Sequence, residues 1–550
     1  MNFLEEIFTR LEAAQDLPVL QELRDRGPAI ATGGQLLQSV SKARAFLTTK
    51  GLKKGDRCAL LAHNCIDWVA ADLAIMAEGL IVVPLYARQA PAELVAIMRD
   101  CSPALICCGE ARLRYAVKQN WADAPPQVLF EELFAVAESA PIARPQQLTD
   151  SDPVTVIYTS GTSGEAKGVV LNVGNISHML GCTSERLDLL METKSGQDRV
   201  FHYLPFCFAG SWIMLLTSLR RRNLMTLNTD LTKISNEMRA TGPDYFLNVP
   251  ALLERMRKAV DEQLWKSGGF PLSLYTRAKA TWMRRQEGRK TFSDSVWLAL
   301  AKAIVFPTIR KKMIGSNLKA LICGSAPLMM ETQLYFMMLG IPVLQVYGLT
   351  ETTAICTMDD PHQVEPGRVG PAINGVEMKL GENDEIVVRG PNVFPGYWNR
   401  PQETAQALRD GWFHTGDQGE VDATGNWSII GRIKNLIVLG SGHNVAPEPI
   451  EDELLQALSG AQQVVLVGNG RGYLSAIVTG SITREQVQAA LDAVNPQLPH
   501  YRQVRAFRIH AEAFSIDNGL LTANGKLKRD LIAARLKSEI EDMYEVKQAS

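Results

Sequence analysis

The chain has 550 residues, 46% hydrophobic and 21% charged, enough for two or three cores in an ordinary globular protein. A formal net charge of −2 gives no overall positive field, which excludes recruitment of nucleic acid by bulk charge. The start MNFLEEIFTRLEAAQDL carries Glu5 and Glu6 and lacks the basic start and long apolar core of a secretory signal, and no apolar run reaches bilayer length, so a cytoplasmic location is expected.

In chain order, residues 33–47 and 68–78 carry helical periodicity, and residues 58–62, 81–85 and 104–107 are short apolar runs. Their alternation predicts a parallel sheet with crossover helices. Cys107 and Cys108 are adjacent rather than spaced as metal ligands, so the nine cysteines read as small, buried and reduced. A Pro/Gln-rich surface connection, residues 140–148, leads into VTVIYTSGTSGEAKGVVL at 154–171. This is a β-like run, a turn, a lysine and a second β-like run. Thr159, Ser160, Thr162 and Ser163 offer hydroxyls, Gly161 and Gly164 let backbone N–H groups approach an anion, and Lys167 adds a point charge. A plain hairpin needs one or two such turn residues; six before the lysine point to a triphosphate cradle. Ala166 and Gly168 flank Lys167, so the loop is not a Walker element.

The apolar, aromatic segment 202–219 (HYLPFCFAGSWIMLLTSL) predicts a core helix after a proline break, or at its aromatic start the lining of a pocket for a fatty ligand. Residues 277–312 are rich in helix formers, with Arg277, Lys279, Arg284, Arg285, Arg289 and Lys290 close together. They form either a solvated helix face or a patch that touches anionic lipid headgroups. Two strand-like runs follow, 318–323 before Gly324-Ser325-Ala326-Pro327 and 343–346 before Tyr347-Gly348-Leu349-Thr350-Glu351-Thr352. Ligands of open α/β sheets sit past the carboxyl ends of strands. Tyr347 suits stacking on a base, Thr350 donation to a phosphate, and Glu351 a hard cation. Residues 370–430 predict a compact β-rich subdomain that contains GWFHTGD, where Asp417 is either a turn former or an acceptor for a ribose diol. At Gly431-Arg432-Ile433-Lys434-Asn435 the character changes, and a small α/β domain of roughly 120 residues follows. Its late loop TANGKLKR places Lys526 after a flexible Asn-Gly.

Taken together and in this order, the motifs YTSGTSGEAKG, YGLTET, GWFHTGD, GRIKN and NGKLKR make the sequence similar to the adenylate-forming superfamily of acyl-CoA synthetases, carrier-protein adenylation domains and firefly-type luciferases, from about Gly33 to Leu531. The resemblance implies an α/β fold with a large N-terminal AMP-binding domain, residues 1–431, made of α/β sheets and a β-rich subdomain. A small mobile α/β C-terminal domain, residues 432–550, completes it. It also implies ATP, Mg²⁺ and CoA. Thr159 through Lys167 would hold the β- and γ-phosphates, and Gly324, Ser325, Ala326, Tyr347 and Gly348 the adenine side. Thr350 would touch the α-phosphate, Glu351 bind Mg²⁺, and Asp417 and Arg432 hold the ribose. Lys526 would reach between the substrate carboxylate and the α-phosphate, and Lys434 stands at the pivot.

The segment NVPALLE at 248–254, the basic helical insertion after it, and residues 438–449 look most like the long-chain fatty acyl-CoA synthetase branch. The implied partners are a fatty acid, ATP and CoA, with peripheral contact at the inner face of a membrane. Phe208 replaces a histidine common in relatives near the carboxylate, and Asn435 replaces an acidic residue common after the pivot. Two alternatives stand beside this reading. One is an acyl-adenylate former that serves a carrier protein or cyclises a hydroxy acid, and the other is a catalytically silent ATP- or lipid-binding relative.

Overall fold

The computed structural model describes residues 1–135, 143–160, 166–192, 196–221, 223–286, 288, 292–315, 317–522 and 525–545. The predicted alternation near the N-terminus builds a seven-stranded sheet. Arg57–Leu61 pairs in parallel with Ile81–Leu85 on one side and Leu105–Cys108 on the other. All three strands are buried almost throughout, which explains why they read as continuous apolar runs rather than alternating ones. The sheet extends through Pro153–Ser160, parallel to Ile81–Leu85, and then through Ala166–Asn172, antiparallel to it.

A second sheet of eight strands has as its centre the parallel set Asn223–Leu227, Asp198–His202, Tyr245–Asn248, Ala320–Cys323 and Val343–Tyr347. One core holds side chains of both sheets, Leu60 and Val82 with Val200, Ile322 and Leu344. The helix Ile66–Ala77 lies in this core with ten of its twelve residues buried, the expected state of a helix that is apolar all round. On the outer face of the second sheet, Phe201, Phe246, Leu321 and Val343 are covered by helices Pro250–Ser267, Gly269–Gln286 and Phe292–Met313. These last two are the predicted basic helices, although Arg289 and Lys290 lie outside the described residues.

The predicted β-rich subdomain is an antiparallel sheet of Glu377–Leu380, Glu385–Arg389, Trp412–Val421, Leu408–Arg409 and Trp427–Arg432. Beyond it, Ala461–Val467, Leu474–Gly480 and Val504–His510 form a three-stranded sheet. Helices Pro447–Ala457, Arg484–Val494, Arg529–Arg535 and Lys537–Glu545 accompany it. The apolar clusters here use only residues from Ile437 onward.

The core helix expected after the proline break is present. His202 ends a strand, residues 203–208 form a turn, and the helix runs from Ala209 to Arg220. Pro205 breaks the regular structure, and the aromatics after it pack as separate anchors: Phe206 lies 5.1 Å from Trp68 and 4.8 Å from His202, and Phe208 lies 5.8 Å from Tyr86. The nine cysteines carry no disulfide and seven are buried. Among the described residues no helix is long and apolar enough to cross a membrane.

Candidate active site

The carboxyl ends of strands from both large sheets and one edge of the β-rich subdomain meet at one place. Strands Pro153–Ser160 and Ala166–Asn172 pair so that Thr159 stands opposite Lys167, and Ser160 closes the first strand. The tip between them, Gly161, Thr162, Ser163 and Gly164, lies outside the described residues. The short strand Gly396–Tyr397 adds to the edge with Tyr397 opposite Val169. The Lys167 ammonium sits 5.3 Å from the centre of the Tyr397 ring, a cation–π distance. The Tyr397 hydroxyl donates to Glu351 Oε1 at 2.8 Å. Tyr397 thus connects Lys167 to the carboxylate expected to bind a cation. Sequence reasoning passed over it because an aromatic in the Pro/Gly-rich run PNVFPGYWNRP carries no chemical signature of its own.

Glu351 occupies a short 3-10 turn, Thr350–Thr352, and its carbonyl accepts from Phe394 N–H at 2.8 Å. The next two residues hold left-handed backbone, Thr353 at φ 54° and Ala354 at φ 93°. Such conformations carry strain for residues with a Cβ and persist only where the surroundings fix them. Buried Asn392 does so by donating to the Ile355 carbonyl and accepting from the Thr353 hydroxyl. A Cβ on Gly348 would fall 2.3 Å from the Ala354 carbonyl oxygen, so the turn that carries Thr350 and Glu351 requires glycine there. A Cβ on Gly324 would fall 2.6 Å from the Val346 side chain. The Gly324-Ser325-Ala326 turn therefore lies against the strand that ends in Tyr347, with Ser325 and Ala326 exposed.

Tyr347 is buried, and its hydroxyl donates to Asp417 Oδ2 at 2.7 Å. The other carboxylate oxygen, Asp417 Oδ1, pairs with Arg432 Nε at 2.6 Å. Asp417 and Arg432 are direct cross-strand partners in the β-rich sheet, which makes their meeting a matter of register. Burial raises the Asp417 pKa, opposed by Arg432, the Tyr347 hydrogen bond and Lys526. The strand segment before Asp417 is held by Glu385, which accepts from the His414 ring at 2.7 Å and from Gly416 N–H at 2.9 Å.

Lys526 completes the group from the C-terminal side. Its residue keeps an exposed flank, yet partial loss of hydration and the charge of Arg432 lower its pKa, while Asp417 and Glu351 act in the opposite sense. Lys434, in the turn Ile433–Asn435, lies in the field of Arg432, Asp530 and Lys167, and its pKa is lowered chiefly by burial. Asn435 donates to Glu448 Oε1 at 2.6 Å. At that position an acidic residue would set carboxylate against carboxylate.

Residues 11–398 match the family described as AMP-binding enzyme, and residues 434–548 match the AMP-binding enzyme C-terminal domain. The chain belongs to the AMP-binding enzymes. Relatives include the long-chain-fatty-acid–CoA ligase FadD15 of Mycobacterium bovis, 25% identical over 99% of this chain and 97% of the relative, and long chain acyl-CoA synthetase 3 of Arabidopsis thaliana, 25% identical over 92% and 85%. Among solved structures, ATP-bound MatB from Rhodopseudomonas palustris superposes with a TM-score of 0.73 at 24% identity over 98% of this chain and 99% of that one. A Mycobacterium tuberculosis fatty acyl CoA synthetase does so at 0.66, with 22% identity over 98% and 99%. The large N-terminal part and small C-terminal part share the architecture of these structures.

In this AMP-binding enzyme four cationic side chains, Lys167, Arg432, Lys434 and Lys526, converge with two carboxylates, Glu351 and Asp417. Glu448 and Asp530 also lie in the field of this group, so it is the gathering of four cations at one place, rather than a net positive charge, that suits a polyphosphate. Among the described residues no three His, Cys, Asp or Glu side chains gather to hold a metal by themselves. A single hard carboxylate such as Glu351 fits Mg²⁺ shared with phosphate oxygens rather than an ion caged by protein alone.

Proposed function

We propose that this AMP-binding enzyme activates a medium- to long-chain fatty acid with ATP and transfers the acyl group to CoA. A fatty carboxylate oxygen attacks the α-phosphorus, the bond to the β-phosphate breaks, and pyrophosphate leaves with the electron pair. The CoA sulfur then bonds to the acyl carbon, AMP leaves with its electron pair, and the thiol proton passes to solvent. The observation that carries this reading is the convergence of Lys167, Glu351, Asp417, Arg432 and Lys526 on one site.

Attack of one anion on another is opposed by charge, and preorganised cations relieve that opposition in the transition state. Thr159, Ser160, Gly161, Thr162, Ser163, Gly164 and Lys167 hold the β- and γ-phosphates. Gly324, Ser325, Ala326, Tyr347 and Gly348 frame adenine, with Thr350 at the α-phosphate and Asp417 and Arg432 at the ribose. Glu351 would hold Mg²⁺, which supplies further neutralisation of the phosphate oxygens when bound. Lys526 reaches between carboxylate and α-phosphate.

Residues 1–431 act as the large body and 432–550 as a lid that turns about Lys434 between the two half-reactions. The enzyme acts in the cytoplasm with peripheral contact at the inner face of a membrane. The names of the relatives and the apolar surroundings of Phe206 and Phe208 support a fatty substrate. Exchange of labelled pyrophosphate into ATP that depends on a C6–C20 fatty acid, followed by AMP release that depends on CoA, tests the reading. Exchange with no fatty acid in that range, or AMP release only with a carrier protein bearing a free thiol and not with CoA, would reject it.

A further inference from the structure

The helix Phe292–Met313 is apolar on two sides. Leu298, Val305, Phe306 and Ile309 are buried against the outer face of the eight-stranded sheet's helical cover. Val296, Leu300 and Ile304, spaced four residues apart, form a second stripe that is 56%, 39% and 52% exposed. Side chains at that spacing share one helix face. A helix apolar all round normally lies enclosed, and a contiguous exposed apolar stripe marks a contact surface. Two other exposed large apolar side chains, Trp265 and Phe270, and the partly exposed Trp297 belong to the same three-helix layer.

Charge identifies what meets this stripe. From Pro250 to Met313 there are 14 Lys and Arg against 5 Asp and Glu, in a chain whose overall charge is −2. Residues 250–313 thus carry a formal excess of nine positive charges (14 against 5), while the rest of the chain is net negative. Lys302, Lys311 and Lys312 are exposed on the striped helix itself. Exposed Arg277 of the neighbouring helix stands 4.7 Å over the Trp297 ring. Apolar side chains flanked by long cations match the boundary between anionic headgroups and acyl chains, where the stems lie along the apolar surface and the charges reach the phosphates. A second copy fits worse, since two layers with the same positive excess would repel.

We propose that the outer face of the Phe292–Met313 helix docks on an anionic lipid bilayer, with Val296, Leu300 and Ile304 entering the interface and Lys311, Lys312 and Arg277 on the headgroups. This rests on the membrane contact proposed above and deepens it by naming the face. None of these residues belongs to the nucleotide site, so docking and turnover are separable.

Flotation of the full chain with vesicles tests it, using phosphatidylcholine alone and phosphatidylcholine with 30% phosphatidylglycerol at two salt concentrations. Binding to the anionic vesicles is expected, weakened by salt. Lys311→Glu with Lys312→Glu should lower partitioning by roughly 20-fold or more, from about fivefold per lost charge, and Leu300→Asp with Ile304→Asp should abolish it. Both positions of each pair are exposed, and an unchanged circular dichroism spectrum with unchanged pyrophosphate exchange on a short soluble acid verifies folding. Equal flotation of wild type and variants, or none with anionic vesicles, overturns the proposal. A concentration-dependent dimer in sedimentation velocity that Leu300→Asp dissolves does so as well and gives the face to a second copy. Failure of the wild-type protein to dock, with its acid-dependent exchange intact, refutes only the docking surface, whereas docking without any acid-dependent exchange refutes only the activity.

Discussion

Tyr397 joins the two groups that would grip the phosphates from opposite sides. Its hydroxyl orients Glu351 and its ring underlies Lys167. Partners that orient a metal-binding carboxylate commonly change metal affinity by about 10- to 100-fold when removed. Tyr397→Phe keeps the ring and deletes the hydrogen bond. We expect the Mg²⁺ concentration for half-maximal ATP binding, read by calorimetry, to rise by about tenfold, with metal-free ATP binding changed by less than about threefold. An unchanged metal titration would falsify this positioning role. The contrast with Asp417 and Arg432 is instructive. Those two lie in motifs whose residue types suggest chemistry, and strand register then brings them together. Tyr397, Glu385 and Asn392 reach the site through contacts spanning about 30 to 46 residues in sequence, where no local pattern exposes them.

At the scale of elements, the helices Ile66–Ala77 and Ala209–Arg220 meet through a buried pair, Trp212 Nε1 donating to Asp72 Oδ2 at 3.0 Å. Asp72 Oδ1 has no partner, and burial raises its pKa to about 7. The folded chain therefore keeps a proton that the unfolded chain releases above pH about 4. Stability contributed at this site falls as pH rises from about 4 to about 7 and is level above that. Asp72→Asn keeps an acceptor for Trp212 and does not titrate. We expect the variant's Tm advantage over wild type to grow from pH 5 to pH 7.5; a constant difference in thermal unfolding across that range would contradict it. The helix itself was legible from its apolar run. Its start was not, because the aromatics of residues 203–208 satisfy a core-helix pattern while Pro205 and packing against Trp68 and Tyr86 hold them in a turn.

At the scale of the molecule, the order of motifs predicted the fold nearly end to end, since parallel strands, crossover helices and glycine-bearing turns each leave a periodic or compositional mark. The meeting of the C-terminal part with the body was less legible. It depends on Lys526 facing Asp417 and Glu351, and on Glu448 lying against Gly431 of the body, where a Cβ would fall 2.7 Å from Glu448 Oε2; Asn435, on the same side of the pivot as Glu448, holds that carboxylate in place by donating to its Oε1. Asn435→Asp puts a second carboxylate against Glu448, a repulsion on the order of 1 kcal/mol or more. That should shift the population away from this arrangement and slow adenylation by roughly fivefold in single-turnover kinetics, while thioester formation from supplied acyl-adenylate is unaffected. Slowing of both steps alike would refute a role in domain orientation.

The most direct measurement concerns Lys526→Ala, with the two half-reactions followed separately on one purified protein. If a lid-borne lysine serves the first step and then withdraws, fatty-acid-dependent pyrophosphate exchange falls on the order of 100-fold or more, and conversion of supplied acyl-adenylate and CoA to acyl-CoA proceeds near the wild-type rate. Equal loss in the two half-reactions, or full exchange without the lysine, would contradict the two-arrangement account.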